Sequence, residues 1–139
     1  MALNRVDATG MGHIAAAAIH AGSHAVLTSL GLASNALGRE GAAALARALA
    51  AGALPLLEQL DLGANEIGSE GLAALVHASL VGVSSLRAVT QLRLDHNSID
   101  DGAVRFLAAQ AVLAPERVLP SLGERLFRLG RDRMLTGIN

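Results

Sequence analysis

Cysteine, tryptophan, tyrosine and lysine are all missing from this 139-residue chain, and the aromatic side chains are reduced to Phe106 and Phe127. Without cysteine there can be no disulfide scaffold, no thiolate metal site and no cysteine nucleophile, and a reducing, cytoplasmic setting is the expectation. An excess of charge of one sign is missing too. Eleven arginines stand against 12 acids, a formal charge of −1, so no bulk field draws the molecule to nucleic acid or to an anionic membrane. Long apolar runs are also scarce. The alanine-rich stretch 41–57 is broken by Arg47 and Gly52, well short of the roughly 20 apolar residues that a membrane span requires. At the start, Arg5, Asp7 and His13 interrupt what a secretory leader would keep continuous, and the apolar run Ile14 to Ile19 is too short to be one. Neither a span nor a signal peptide is expected.

What the chain does contain is 28 alanines and 25 leucines, a composition that favours helix. It also contains a period. The pattern Leu27-x-x-Leu30-x-Leu32-x-x-Asn35-x-Leu37-Gly38, with Gly41, Leu45 and Leu49 following, returns as Leu57-x-x-Leu60-x-Leu62-x-x-Asn65-x-Ile67-Gly68, with Gly71 and Leu75. A third copy reads Val89-x-x-Leu92-x-Leu94-x-x-Asn97-x-Ile99, with Gly102 one residue early and Phe106 in the later apolar slot. A partial copy around Asn4, Val6, Gly10 and Ile14 opens the chain, so the asparagines fall at 4, 35, 65 and 97. Several fixed slots kept through three copies make a specific signal.

This pattern resembles the leucine-rich repeat, and its spacing is similar to that of the ribonuclease-inhibitor-like subclass found in NOD-like receptors and Ran GTPase-activating proteins. The resemblance covers roughly residues 3–113. It implies an α/β fold: a right-handed leucine-rich-repeat solenoid with a curved parallel sheet on the concave face and helices on the convex face. Three assignments follow: 1–22 is a partial first repeat or N-terminal helical cap, 23–114 holds three repeats, and 115–139 is an amphipathic C-terminal cap helix and tail. Because only Leu3 precedes Asn4, the first copy has at most a stub of a strand, and a chain cut from a longer parent array is one expectation.

The slots also have a physical reading of their own. In Leu30-x-Leu32, Leu60-x-Leu62 and Leu92-x-Leu94 the period is 2, so both leucines point to one face of a strand of about five residues. Asn35, Asn65 and Asn97 follow the strands, and each amide offers two donors and an acceptor to backbone groups that stacked turns leave facing inward. A structural ladder is expected. Downstream, Leu45 with Leu49, Leu72 with Leu75, and Phe106 with Leu107 mark helices of two to three turns with one buried face. Such a unit cannot enclose a core alone, so neighbouring copies must stack.

Residues between and beside the strand leucines are free for function. Ser29, Gln59, Asp61, Gln91, Arg93, Asp95 and His96 form the candidate protein-binding face, which runs from bland in the first full copy to charged in the third. Asp61 and Arg93 should be neighbours, and either pair with each other or belong to the polar part of an interface. His13, His20 and His24 are spaced seven and four apart, a stripe that would suggest a metal on one unbroken helix; Gly22 interrupts it, and no metal is expected. His13 and His20 are placed outward, opposite an inward Ile14. Asp100 and Asp101 suit a helix start. No phosphate loop, nucleophile elbow or metalloprotease signature is present.

The expected function is therefore a non-catalytic protein-interaction module with another protein as partner, no cofactor and no nucleic acid. A Ran-type GTPase activator and a fragment of a NOD-like sensor are the alternatives. Ribonuclease inhibition itself fits poorly, since that surface resembles a longer horseshoe rich in cysteine and aromatics. After Pro115 the repeat stops. Leu119, Leu122, Leu126 and Leu129 then predict a helix over about 121–129, extending toward 135, with Arg125, Arg128, Arg131 and Arg133 on its other side. It is expected to cover the edge of the last repeat, or to meet a membrane surface or partner groove.

Overall fold

The computed structural model describes residues 6–22, 26–81 and 88–113. Helix α1 (Ala8–Ala21) comes first, then three strand–helix units: β1 (Ser29–Gly31) with α2 (Gly38–Ala50), β2 (Gln59–Asp61) with α3 (Gly68–Val81), and β3 (Gln91–Arg93) with α4 (Asp101–Leu113). The strands pair in parallel in the order β1-β2-β3. Their register is that of the sequence repeat: Leu30, Leu60 and Leu92 stand side by side, as do Gly31, Asp61 and Arg93.

Each strand has three residues rather than the expected five. Cross-strand hydrogen bonding nevertheless continues, from Leu32 N to Asp61 O (2.8 Å) and from Ser34 N to Gly63 O (2.8 Å), with the same pattern from Leu62 N to Arg93 O and from Ala64 N to Asp95 O. What ends the strand is a left-handed residue at one slot in each unit: Ser34, Ala64 and His96 have φ of 57°, 51° and 56°. The chain turns there toward the helix. The helices, at 13 or 14 residues, are longer than predicted.

Between sheet and helices lies the core. Leu32, Leu45, Leu49, Leu57, Leu60, Leu62, Ile67, Leu72 and Leu75 are all buried, and α2 packs on α1 at one side and on α3 at the other. Glycine permits the α2–α3 approach: a Cβ on Gly71 would strike the Cγ2 of Ile67 and stand 3.0 Å from the Cβ of Ala42. Between α3 and α4 a cavity of about 10 Å³, lined by Leu72, Leu75, Val76, Leu92 and Leu107 among others, is apolar and too small for an organic ligand.

Three expectations need correction. Phe106 is 46% exposed, and Leu107, at 3%, fills the apolar slot. It lies ten residues after Asn97, as Leu45 does after Asn35 and Leu75 after Asn65. For the same reason Ala103, not Gly102, occupies the glycine slot of the third unit. In α1 the buried residues are Met11 and Ala15, and Ile14 is 38% exposed. Met11, Ala15 and Ala18 make the stripe against α2, and Ile14 falls on its flank.

Candidate functional site

The site is built on the strand face that turns away from the core. With Leu30, Leu60 and Leu92 directed inward, Ser29, Gln59 and Gln91 form one in-register row on the outer side, all exposed. Gly31, Asp61 and Arg93 form the next row, and Asp95 and His96 lie just beyond the third strand. Arg93 Nη1 lies 3.5 Å from Asp61 Oδ2 and its Nε 3.8 Å from Asp95 Oδ1, with the arginine side chain 67% exposed. These are loose, solvated ion pairs, each contributing about 0–1 kcal/mol. Asp61 Oδ1 also accepts from the N–H of Gly63 at 3.0 Å.

Behind this face run the asparagines. Asn97 is fully buried; its Nδ2 donates to Leu62 O (2.7 Å), Leu94 O (3.0 Å) and Asp95 O (3.3 Å), while its Oδ1 accepts from Asn65 N and Ile67 N. Asn65, also buried, donates to Leu32 O, Leu62 O and Gly63 O, but its Oδ1 has no partner. Asn35 is half-buried, donating to Leu32 O and Ala33 O and accepting from Val6 N. Each amide thus answers carbonyls of its own turn, and Asn65 and Asn97 also reach a carbonyl of the preceding unit. The strand face cannot shift relative to its neighbours without breaking these bonds.

A Leucine Rich repeat family model matches residues 23–46 and 53–76. The chain carries leucine-rich repeats. The two matched repeats contain β1 and β2 with the opening turns of α2 and α3, and β3 with α4 follows the same strand, asparagine and helix order. No curated protein matches the chain.

Outside the strand face, the repeats are tied together along their helix starts. Arg39 Nη1 donates to Glu70 Oε2 at 2.8 Å, and this contact holds the Arg39 pKa above its ordinary value. Ser69 Oγ donates to Asp100 Oδ2 at 2.6 Å, and Asp100 N donates back to Ser69 Oγ. Asp100 Oδ1 accepts from Ala103 N at 2.8 Å, so Asp100 caps α4 while Asp101 is its first residue. The Ser69 hydroxyl, followed by that N–H, holds the Asp100 carboxyl below the usual carboxylate range. Both ties span 31 residues, one repeat period. That spacing is the signal by which sequence reasoning could have found them.

His13 and His20 lie exposed on α1, which ends at Gly22 with a φ of 53°. Among the described residues no cluster of three metal-ligating side chains occurs, and no helix is long and apolar enough to cross a membrane. His24, Asn4 and the helix expected over 121–135 with its four arginines lie outside the described residues.

Proposed function

We propose that this chain is a non-catalytic interaction module that meets another protein through the strand face of its leucine-rich repeats, at Ser29, Gln59, Asp61, Gln91, Arg93, Asp95 and His96. One observation carries the reading: the repeat directs every strand leucine inward and leaves a register-matched set of polar side chains that no packing uses. Leucine-rich repeats are in general modules of protein–protein contact. We further infer a curved, right-handed stack of the ribonuclease-inhibitor-like type. Helices are about twice as wide as the ~4.8 Å strand spacing, so stacking bends the sheet side inward, and parallel strands joined by a helix cross over right-handed. The asparagine spacing of 30 to 32 residues supports the subclass.

A photo-crosslinking residue placed at Ser29, Gln59 or Gln91, and separately at the exposed helix positions Ala16 and Ala73, tests the assignment in the native cell lysate. Cross-links from the strand positions to a discrete polypeptide, with none from the helix positions, are the expected result. The opposite pattern overturns it.

A further inference from the structure

Each repeat hands backbone N–H groups to the repeat that follows it. Leu32 N and Ser34 N donate to Asp61 O and Gly63 O, and Leu62 N and Ala64 N donate to Arg93 O and Asp95 O. Two more follow in the same direction, from Asn65 N and Ile67 N to Asn97 Oδ1. In the third unit the same slots are Leu94, His96, Asn97 and Ile99, and no described residue accepts from their N–H groups. Asn97 and Ile99 are nevertheless buried, at 0% and 4% exposed. Backbone donors in such surroundings are normally paired, and a strand edge lined with open donors is a template for another extended segment.

The edge specifies its occupant: a parallel segment that offers two carbonyls and then a side-chain oxygen. A helix laid there cannot supply them, because its carbonyls are bonded internally except in the last turn. Residues 114–139 follow α4 directly. Within them Phe127-Arg128-Leu129-Gly130-Arg131-Asp132 matches Leu60-Asp61-Leu62-Gly63-Ala64-Asn65 slot for slot, with an apolar residue, a charged one, leucine, glycine and finally an acceptor side chain. Upstream, Leu119-Pro120-Ser121-Leu122 matches Leu54-Pro55-Leu56-Leu57, of which Leu54 and Leu57 are buried. Asp132 lies 35 residues after Asn97, slightly beyond the 30 to 32 of the earlier copies, and a longer connector absorbs the difference. Aspartate serves in the last slot, because the N–H groups of Asn97 and Ile99 require only an oxygen.

We propose that residues 127–132 add a fourth parallel strand to the free edge of β3. The carbonyls of Arg128 and Gly130 accept from Leu94 N and His96 N, and an Asp132 carboxylate oxygen accepts from Asn97 N and Ile99 N. The row Gly31, Asp61, Arg93 gains Arg128, so the exposed strand face becomes one strand wider and its last two rows carry adjacent arginines. Tethering through α4 favours this segment over a free one, because it holds the strand at high effective concentration beside its edge.

The chain has no cysteine, so an engineered pair reports register without background. In the full chain, Arg93→Cys is combined in turn with Arg125→Cys, Arg128→Cys and Arg131→Cys, oxidised in dilute solution, and the products are mapped by mass spectrometry after proteolysis. In-register neighbours of a parallel pair stand about 4.8 Å apart, inside the roughly 4.4–6.8 Å Cα span of a disulfide. The 93/128 pair closes within one chain, about tenfold faster than the other two, which lie outside that span. A helix over 121–135 would carry positions 125, 128 and 131 on one stripe, so comparable closure of all three pairs would overturn the proposal. Closure of 93/128 only between two chains would overturn it too, and would give the edge to a second copy. Amide exchange followed by NMR is the second readout. Leu94 and His96 are protected as Leu62 and Ala64 are, and Asp132→Ala speeds exchange at Asn97 and Ile99 by about tenfold, the scale of one lost hydrogen bond, while Leu32 and Ser34 stay unchanged. Unprotected amides at Leu94 and His96 in the unaltered chain would leave the edge open and the proposal wrong.

Discussion

Asn65 and Asn97 occupy the same slot with different bonding. Both donate toward three carbonyls, but Asn97 Oδ1 also accepts two backbone N–H groups where Asn65 Oδ1 accepts none. A buried polar group left without a partner costs about 1–3 kcal/mol, so Asn97→Ala should destabilise the chain more than Asn65→Ala, by about that amount. Urea unfolding followed by circular dichroism measures the order, and the reverse order would mean that the acceptor bonds carry no stability. Asp100 gives a second test at this scale. Its folded pKa is lowered by Ser69 and the Ala103 N–H, so its contribution is fully present above the unfolded value of about 3.9 and is lost as pH falls through the lower folded value. Thermal melts of wild type and Asp100→Asn should therefore differ by a constant amount near neutrality and converge below about pH 4. A gap that persists into acid would assign the difference to something other than charge.

At the scale of elements, two glycines make opposite predictions. Gly71 sits where α3 meets α2, and an added methyl would strike Ile67 and crowd Ala42; Gly71→Ala should cost about 1–3 kcal/mol through overpacking. Gly12 lies within α1 with nothing within 4 Å of a would-be Cβ, so Gly12→Ala should add up to about 1 kcal/mol by removing backbone freedom from the unfolded chain. Thermal denaturation of both variants decides the matter, and a shared sign would show that helix propensity, not the α2–α3 approach, governs these positions. The elements themselves were legible because the leucine and asparagine slots recur: β1, β2 and β3 fall on Leu30, Leu60 and Leu92, and Asp100 begins a helix as its chemistry requires. Phe106 and Leu107 are adjacent apolar residues, and only counting ten residues from Asn97, as for Leu45 and Leu75, selects the buried Leu107. Strand length was not legible. Ser34, Ala64 and His96 carry no common side-chain signal for the left-handed turn that ends each strand. The approach of Asp95 to Gly63 needed coordinates, because the two residues lie one repeat apart in the chain.

For the whole molecule, stability rests on the leucines buried between sheet and helices. Leu62 is fully buried, and a carboxylate there would lack a partner at a cost of several kcal/mol, comparable to the roughly 5–15 kcal/mol that holds a small domain together. Leu62→Asp should abolish the helical circular dichroism spectrum, whereas Arg93→Ala, on the exposed face, should keep its stability within about 1 kcal/mol of wild type. Equal losses would invert the assignment of inner and outer strand faces. The left-handed corners have a further consequence. A non-glycine residue in that conformation costs about 1–2 kcal/mol, and Ser34 and Ala64 are held in it by carbonyls of the following coil, those of Gly63 and Asp95. Detaching one coil thus removes the latch on the corner before it, and the released torsion favours further opening. Melting should advance along the stack in whole-coil steps, each loss loosening its predecessor.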